Sequence, residues 1–440
     1  MKLPQHQSNE ASQLNFRERR QVPSRQNGSE MHLHFHHREP FSRFRIAVKS
    51  FAAGFAFLFQ PVEREATFLR ILLLSSGLLV AIVEWMLWQT GAALTPAAAA
   101  TRQANDPTII WAGQASQYVD FKINRLAMER PDIVILGDSP CSQLRSAMFK
   151  PYKAYNFCTT AWTIDQIRDA IVRIDRAAHP KIIIFSLGYY FFIDAWVEGW
   201  AKKIPMAHEI SWSQAHFDGL QRLVQLFTDN PEPLARYMMG STHENVDGMK
   251  LIGADAVAFK YGIRHDGSVL YPAQMRDTAP QHRANPFFGF LEAVPGSPRL
   301  QGAQLTALEK LGAVGKERGL TLIGIQFPLL KATVDYLDNN PTYNGGGAWR
   351  EFESESTRQR FRDFGIRFFD ASHDAVTADS LNFLDPLHPT ERGTLGMLIH
   401  LLETPEFRSL LPDIDIGALR KKNEEAIAAG VTYDIYRSEF

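Results

Sequence analysis

The hydrophobic pattern divides the chain into stretches of different texture. Residues 1–43 carry few large aliphatics among their Gln, Ser, Asn and Arg, which predicts a disordered tail, because such a segment buries too little apolar surface to offset ordering. Over 44–67, Phe44, Phe51, Phe55, Leu58 and Phe59 fall near one helical face flanked by Arg43, Arg45 and Lys49. This is the pattern of an amphipathic helix and linker lying on a membrane surface. From Phe68 to Leu94 the chain is apolar all round. That length suits a hydrocarbon core of about 30 Å, with Trp85 and Trp88 as an aromatic belt, and predicts a transmembrane anchor over 68–95. A buried core helix is the alternative reading.

Beyond a linker and lead-in helix at 96–130, the texture changes to an α/β rhythm over 131–412. Strand-like runs at 133–136, 154–157, 181–187, 321–327 and 366–370 alternate with helical segments. Those helices are expected from Ser139, from about Thr163 to Ala178, Leu305 to Arg318, Trp349 to Phe364 and Glu391 to Leu402. Such alternation predicts a doubly wound parallel sheet. The rhythm breaks between about 189 and 298, which reads as an insertion rich in aromatics, among them Tyr189, Tyr190, Trp196, Trp200 and Trp212. They fit core packing or a stacking platform for sugar rings. The charged tail 413–440 is expected to pack on the surface.

Composition removes several function classes. A formal net charge of −1 over 440 residues leaves no basic excess for nucleic acid. A mean hydropathy of −0.20 excludes a polytopic transporter. Walker and dinucleotide fingerprints are absent from the sequence, and so are solenoid-spaced repeats. Basic residues crowd the N-terminal side of the apolar segment, so the positive-inside rule predicts a single-pass inner-membrane protein with a cytoplasmic N-terminus and an exported main domain. Glu84 is an ionisable group inside the predicted span. It reads either as a carboxylate snorkelling to the headgroups or as the contact for a membrane protein partner. His32, His34, His36 and His37 alternate in the tail without needing a metal, and no metal is expected elsewhere.

Two motifs carry chemistry. The run Ile133–Leu136 delivers the chain into Gly137-Asp138-Ser139, and far downstream Asp385-Pro386-Leu387-His388 supplies a carboxylate and an imidazole. A serine hydroxyl needs a base to take its proton and an acid to orient that base, and Ser139, His388 and Asp385 can fill those roles. Read plainly, Ser139 before Pro140 is a helix N-cap, and His388 is a surface histidine.

These two blocks, one opening and one closing an α/β domain, resemble the SGNH/GDSL hydrolase superfamily over roughly residues 130 to 405. The resemblance implies Ser139 as nucleophile, with His388 and Asp385 completing the triad. It also implies an oxyanion hole from the serine N–H, a second-block glycine and a third-block asparagine. Here Tyr155–Ala161 stands at the second block and Leu187-Gly188-Tyr189-Tyr190 at the third. Cys158 would then offer a backbone N–H while Tyr190 replaces the amide, so that Asp138, Cys158 and Tyr190 are the expected oxyanion or substrate contacts. Loss of one donor costs about 10²- to 10³-fold. Cys141 and Cys158 lie beside these blocks and could pair in an oxidising compartment.

In layout the chain resembles membrane-anchored members that modify cell-surface polymers, such as the alginate O-acetylation proteins and the D-alanyl transfer protein of lipoteichoic acid synthesis. What this implies is an O-acyltransferase, with acetyl as the expected group, acting on an exported polysaccharide. It would work beside a membrane-bound O-acyltransferase and without any cofactor. An exported carbohydrate esterase with the same triad and a non-catalytic glycan-binding scaffold of an export complex are the alternatives.

Overall fold

The computed structural model describes residues 64–437 apart from 107, 112–116, 202–210, 230, 233–234, 236–244, 247–248, 286–296 and 340–345. The amphipathic segment, the histidine tail and the disordered-tail prediction therefore lie outside the described residues. The chain divides into two units between Ser75 and Ser76, and the described part of the first is the opening of the helix Arg64–Thr90. Residues Ala66–Thr90 of that helix are long and apolar enough to cross a membrane.

The described strands are β1 (Thr108–Ile110), β2 (Ile133–Gly137), β3 (Ala154–Cys158), β4 (Ile182–Ser186), β5 (Asn245–Val246), β6 (Met249–Ile252), β7 (Gly262–Ile263), β8 (Val269–Leu270), β9 (Thr321–Gln326) and β10 (Ile366–Asp370). Five of them form a parallel sheet in the order β10-β9-β4-β2-β3. Counted within the sheet this is the doubly wound order 2-1-3-4-5. Both faces are covered, which is why its strands read as continuous apolar runs. Val134, Leu136, Ile183 and Phe185 pack toward the helices Gln117–Glu129, Ile164–Ala178 and Gly302–Glu317. Their neighbours Ile133, Ile135 and Ile184 pack toward Glu391–Glu403 and Ile416–Ala428.

Local chemistry sets the helix ends. The Thr163 hydroxyl accepts from the Gln166 N–H to cap Ile164–Ala178, and Ile167, Ile171 and Ile174 on one face are buried. The segment expected as one helix from Trp349 breaks into Gly346–Glu353 and Glu355–Asp363, because the Ser354 hydroxyl caps the second by accepting from Thr357 N–H. The helix expected from Ser139 is instead two 3₁₀ turns, Ser139–Gln143 and Ser146–Phe149. There the Asn156 side-chain amide donates to the Cys141 and Leu144 carbonyls, and so occupies acceptors that an α-helix would use for its own ladder.

A second five-stranded sheet has the order β5-β6-β1-β7-β8. β1, within the stretch read as linker and lead-in helix, runs parallel to β6 and antiparallel to β7, with Thr108 opposite Lys250. Residues 245–270 thus contribute short strands as well as aromatics. The tail beyond 412 forms the helix Ile416–Ala428, which buries Leu419 and Ala426.

Candidate active site

Gly137 ends β2 with φ +135°, and a Cβ there would lie 2.8 Å from Ser186 Cβ on β4. Only glycine tolerates both conditions. The chain therefore leaves β2 tight against β4 and delivers Asp138 and Ser139 to the carboxyl end of the sheet. β3 and β4 lie on opposite sides of β2, so this is the switch point where such sheets open a crevice.

Opposite it stands the loop 385–388. Ser139 Oγ lies 2.6 Å from His388 Nε2, and His388 Nδ1 lies 2.7 and 2.9 Å from the two Asp385 oxygens. Asp385 Oδ1 also accepts from the N–H groups of Leu387 and His388, each at 2.9 Å, which fixes the carboxylate relative to its own turn. The turn is held from two sides. Leu330 N–H donates to the Pro386 carbonyl, and Leu384 N–H donates to the His388 carbonyl. Thr390 then caps the helix Glu391–Glu403 through Gly393 N–H. Asp385 is buried, whereas the His388 side chain keeps 18% exposure and Ser139 is half-buried, so solvent or substrate can reach the pair.

The electrostatics follow from burial and charge. Burial alone would push His388 down, but the charge and hydrogen bond of Asp385, with a share from Asp138, outweigh it and hold the imidazole above its ordinary value. Burial likewise pushes Asp385 up, and the His388 charge and the turn N–H groups bring it below the usual carboxylate range. Asp138 is buried and is pushed up to about 6 by desolvation, against the hydrogen bond from Tyr190 and the charge of His388.

The expected oxyanion groups are placed differently from the sequence reading. Cys158 N–H donates to Asn156 Oδ1 at 2.9 Å, so it is not directed at Ser139. Tyr190 is buried and its hydroxyl donates to Asp138 Oδ2 at 2.6 Å. A hydroxyl has one proton to give, so this geometry spends it on Asp138. The Thr159 and Thr160 N–H groups go to the carbonyls of Asp138 and Gly137. The Ser139 N–H opens its 3₁₀ turn, where the first N–H groups have no acceptor inside the helix.

Cys141 and Cys158 form a disulfide with Cα atoms 5.8 Å apart, which ties the turn after Ser139 to the end of β3. Glu84 meets a residue of its own chain, with its carboxylate 3.3 Å from His216 Nε2.

Sequence reasoning missed two groups beside the site. Tyr271 follows β8, is buried, bonds Ser142 Oγ at 2.8 Å, and sets its ring edge-on to His388 at 6.0 Å between centroids. Lys122 is buried and its ammonium donates to the carbonyls of Asn156, Cys158 and Gly267. Burial lowers it to about 7, with Asp266 opposing. A single tyrosine before a proline and an isolated lysine in a helix carry no local signal of such contacts. The aromatics 189–192 and Trp196 are buried in the core beside the sheet.

Among the described residues Asp338, Glu353 and His373 bring metal-ligand types together. His373 Nε2 faces Glu353 at 2.6 Å while Nδ1 faces Asp338 at 3.9 Å. His373 thus hydrogen-bonds Glu353 through one ring nitrogen, while Asp338 stands beyond hydrogen-bond reach of the other. Neither a protein-family model nor a curated protein matches the chain.

Proposed function

We propose that the protein is a membrane-anchored, SGNH-type serine acyltransferase that moves an acyl group, acetyl for preference, onto a hydroxyl of an exported or cell-surface polysaccharide. The observation that carries this reading is the continuous relay from Ser139 Oγ through His388 to Asp385. Its position at the switch point of a flavodoxin-like strand order supports an SGNH-like fold.

In this mechanism His388 removes the Ser139 proton as the hydroxyl attacks the acyl carbonyl of a donor. The imidazolium then returns that proton to the leaving group. The acyl-enzyme ester on Ser139 is resolved when His388 deprotonates an acceptor hydroxyl, which takes the acyl group and restores the serine. Asp385 holds the Nδ1 proton throughout. With Cys158 N–H and Tyr190 hydroxyl engaged elsewhere, the Ser139 N–H serves as oxyanion donor. No organic cofactor or metal enters these steps.

The helix Ala66–Thr90 supports anchoring. The basic residues before it support a cytoplasmic N-terminus with the residues beyond it extracytoplasmic, and the anchored protein would work beside a membrane-bound O-acyltransferase that delivers the donor. An esterase differs only in letting water resolve the same intermediate. Full-length protein in detergent, given an acetyl donor and a panel of oligosaccharides, tests the assignment. Ser139-dependent acetylated sugar supports transfer, Ser139-dependent acetate alone supports the esterase, and turnover unchanged in Ser139→Ala removes both.

A further inference from the structure

Glu84 lies six residues before the end of the apolar helix at Thr90, or about 9 Å along its axis at 1.5 Å per residue. His216, its partner, belongs to the helix Trp212–Asp229. The same helix buries Leu223 and Leu226 against Leu87 and Ala92, and a Cβ on its Gly219 would come within 2.5 Å of the Ala92 carbonyl oxygen. Its backbone is therefore seated directly on the last turns of the apolar helix and the turn that follows.

The helix has three faces. Ala215, Gly219, Leu223 and Leu226 form the buried one. Gln214, Gln221 and Gln225 are exposed on a polar one. Phe217, Leu220, Val224 and Phe227, at three- and four-residue spacing, make a third that is apolar yet 66%, 39%, 60% and 40% exposed. Trp212 opens the helix at 64% exposure, and Trp85 and Trp88 of the apolar helix are exposed at 47% and 69%. Water does not favour a continuous aromatic and aliphatic stripe of this kind, whereas the headgroup and acyl boundary does.

We infer that the helix Trp212–Asp229 lies in the lipid interface at the Thr90 end of the spanning segment. Phe217, Leu220, Val224 and Phe227 enter the acyl boundary, the glutamines face water, and Glu84 with His216 ties the helix to the span. The occupant of the apolar face is lipid, because the face continues the lipid-exposed surface of the helix on which it sits. The domain is then held to the bilayer at a second point. The inference rests on the reading of Ala66–Thr90 as a membrane span.

The test places spin labels at Phe217→Cys, Val224→Cys, Gln221→Cys and Leu72→Cys in the full-length chain reconstituted into phosphatidylcholine vesicles. Cys141 and Cys158 are bonded to each other, so the label reaches the introduced thiol. Collision with oxygen is compared with collision with a water-soluble nickel chelate. Labels at 217 and 224 are expected to favour oxygen several-fold, as at 72, while 221 favours nickel. Nickel access at 217 and 224 equal to that at 221 overturns the inference, and so does closure to both reagents, which would mean that a second copy covers the face. Nickel access at 72 has its own signature, because it removes the span and this inference with it.

Discussion

Tyr190 gives its hydroxyl proton to Asp138 Oδ2 across 2.6 Å, with both side chains sealed from solvent. The tyrosine stands where the family resemblance expects an asparagine, and its partner is the residue next to Ser139. Tyr190 therefore braces the turn that carries Ser139 from behind. Ser186 on β4 also faces the Asp138 carboxylate and, with the tyrosine, favours its ionised form.

Tyr190→Phe should accordingly lower stability by about 1–3 kcal/mol, the cost of leaving a buried polar group unsatisfied. The bond is strongest to the ionised carboxylate, and Asp138 titrates near 6. The loss should thus be larger above pH 7 than below pH 5, as read from denaturant unfolding of both proteins across that range.

The relay predicts its own pH profile. His388 acts as a base only when neutral, and Asp385 holds its pKa above the ordinary histidine value of 6.5. Activity should fall as pH drops through a midpoint above 6.5. Asp385→Asn should cut kcat roughly 10⁴-fold and, with burial then unopposed by that charge, move the residual acid limb to lower pH. Steady-state rates across pH 5 to 9 check both effects.

The disulfide spans 17 residues between Cys141 and Cys158. Loop entropy assigns such a crosslink about 3 kcal/mol. The double substitution Cys141→Ser with Cys158→Ser should lower the unfolding midpoint accordingly, and thiol titration of the denatured wild-type chain should find free thiols only after reduction.

Lys122 binds fewer protons folded than unfolded between about 7 and its ordinary value of 10.5, because burial disfavours its ammonium. Its contribution to stability should therefore rise with pH across that window. Lys122→Met should flatten that rise while losing stability overall, since three carbonyls are left without their donor. Urea midpoints measured from pH 7 to 10 in both proteins test the sign.

Much of the parallel sheet was legible because its strands are buried on both faces and read as apolar runs. Ile366–Asp370 matches the expected strand end to end, and Thr163 marks the helix that begins at Ile164. The 3₁₀ turns after Ser139 were not legible, since they depend on Asn156 reaching across from β3. The second sheet was hidden for a different reason. Its strands are two to four residues long, too short for alternation to show, and β1 pairs with residues far down the chain. Of the site, Ser139, His388 and Asp385 could be named because each type has an obligatory chemical role. Tyr271 and His216 could not, because only long-range packing brings them to His388 and Glu84.

The proposed reaction passes through a serine acyl-enzyme. Full-length protein in detergent is mixed with an activated acetyl ester, quenched in acid and weighed intact, with Ser139→Ala alongside. One added acetyl group is expected on the wild-type chain, mapped to Ser139, and none on the variant. Equal labelling of the two, or an acetyl group mapped to any other residue, would contradict it.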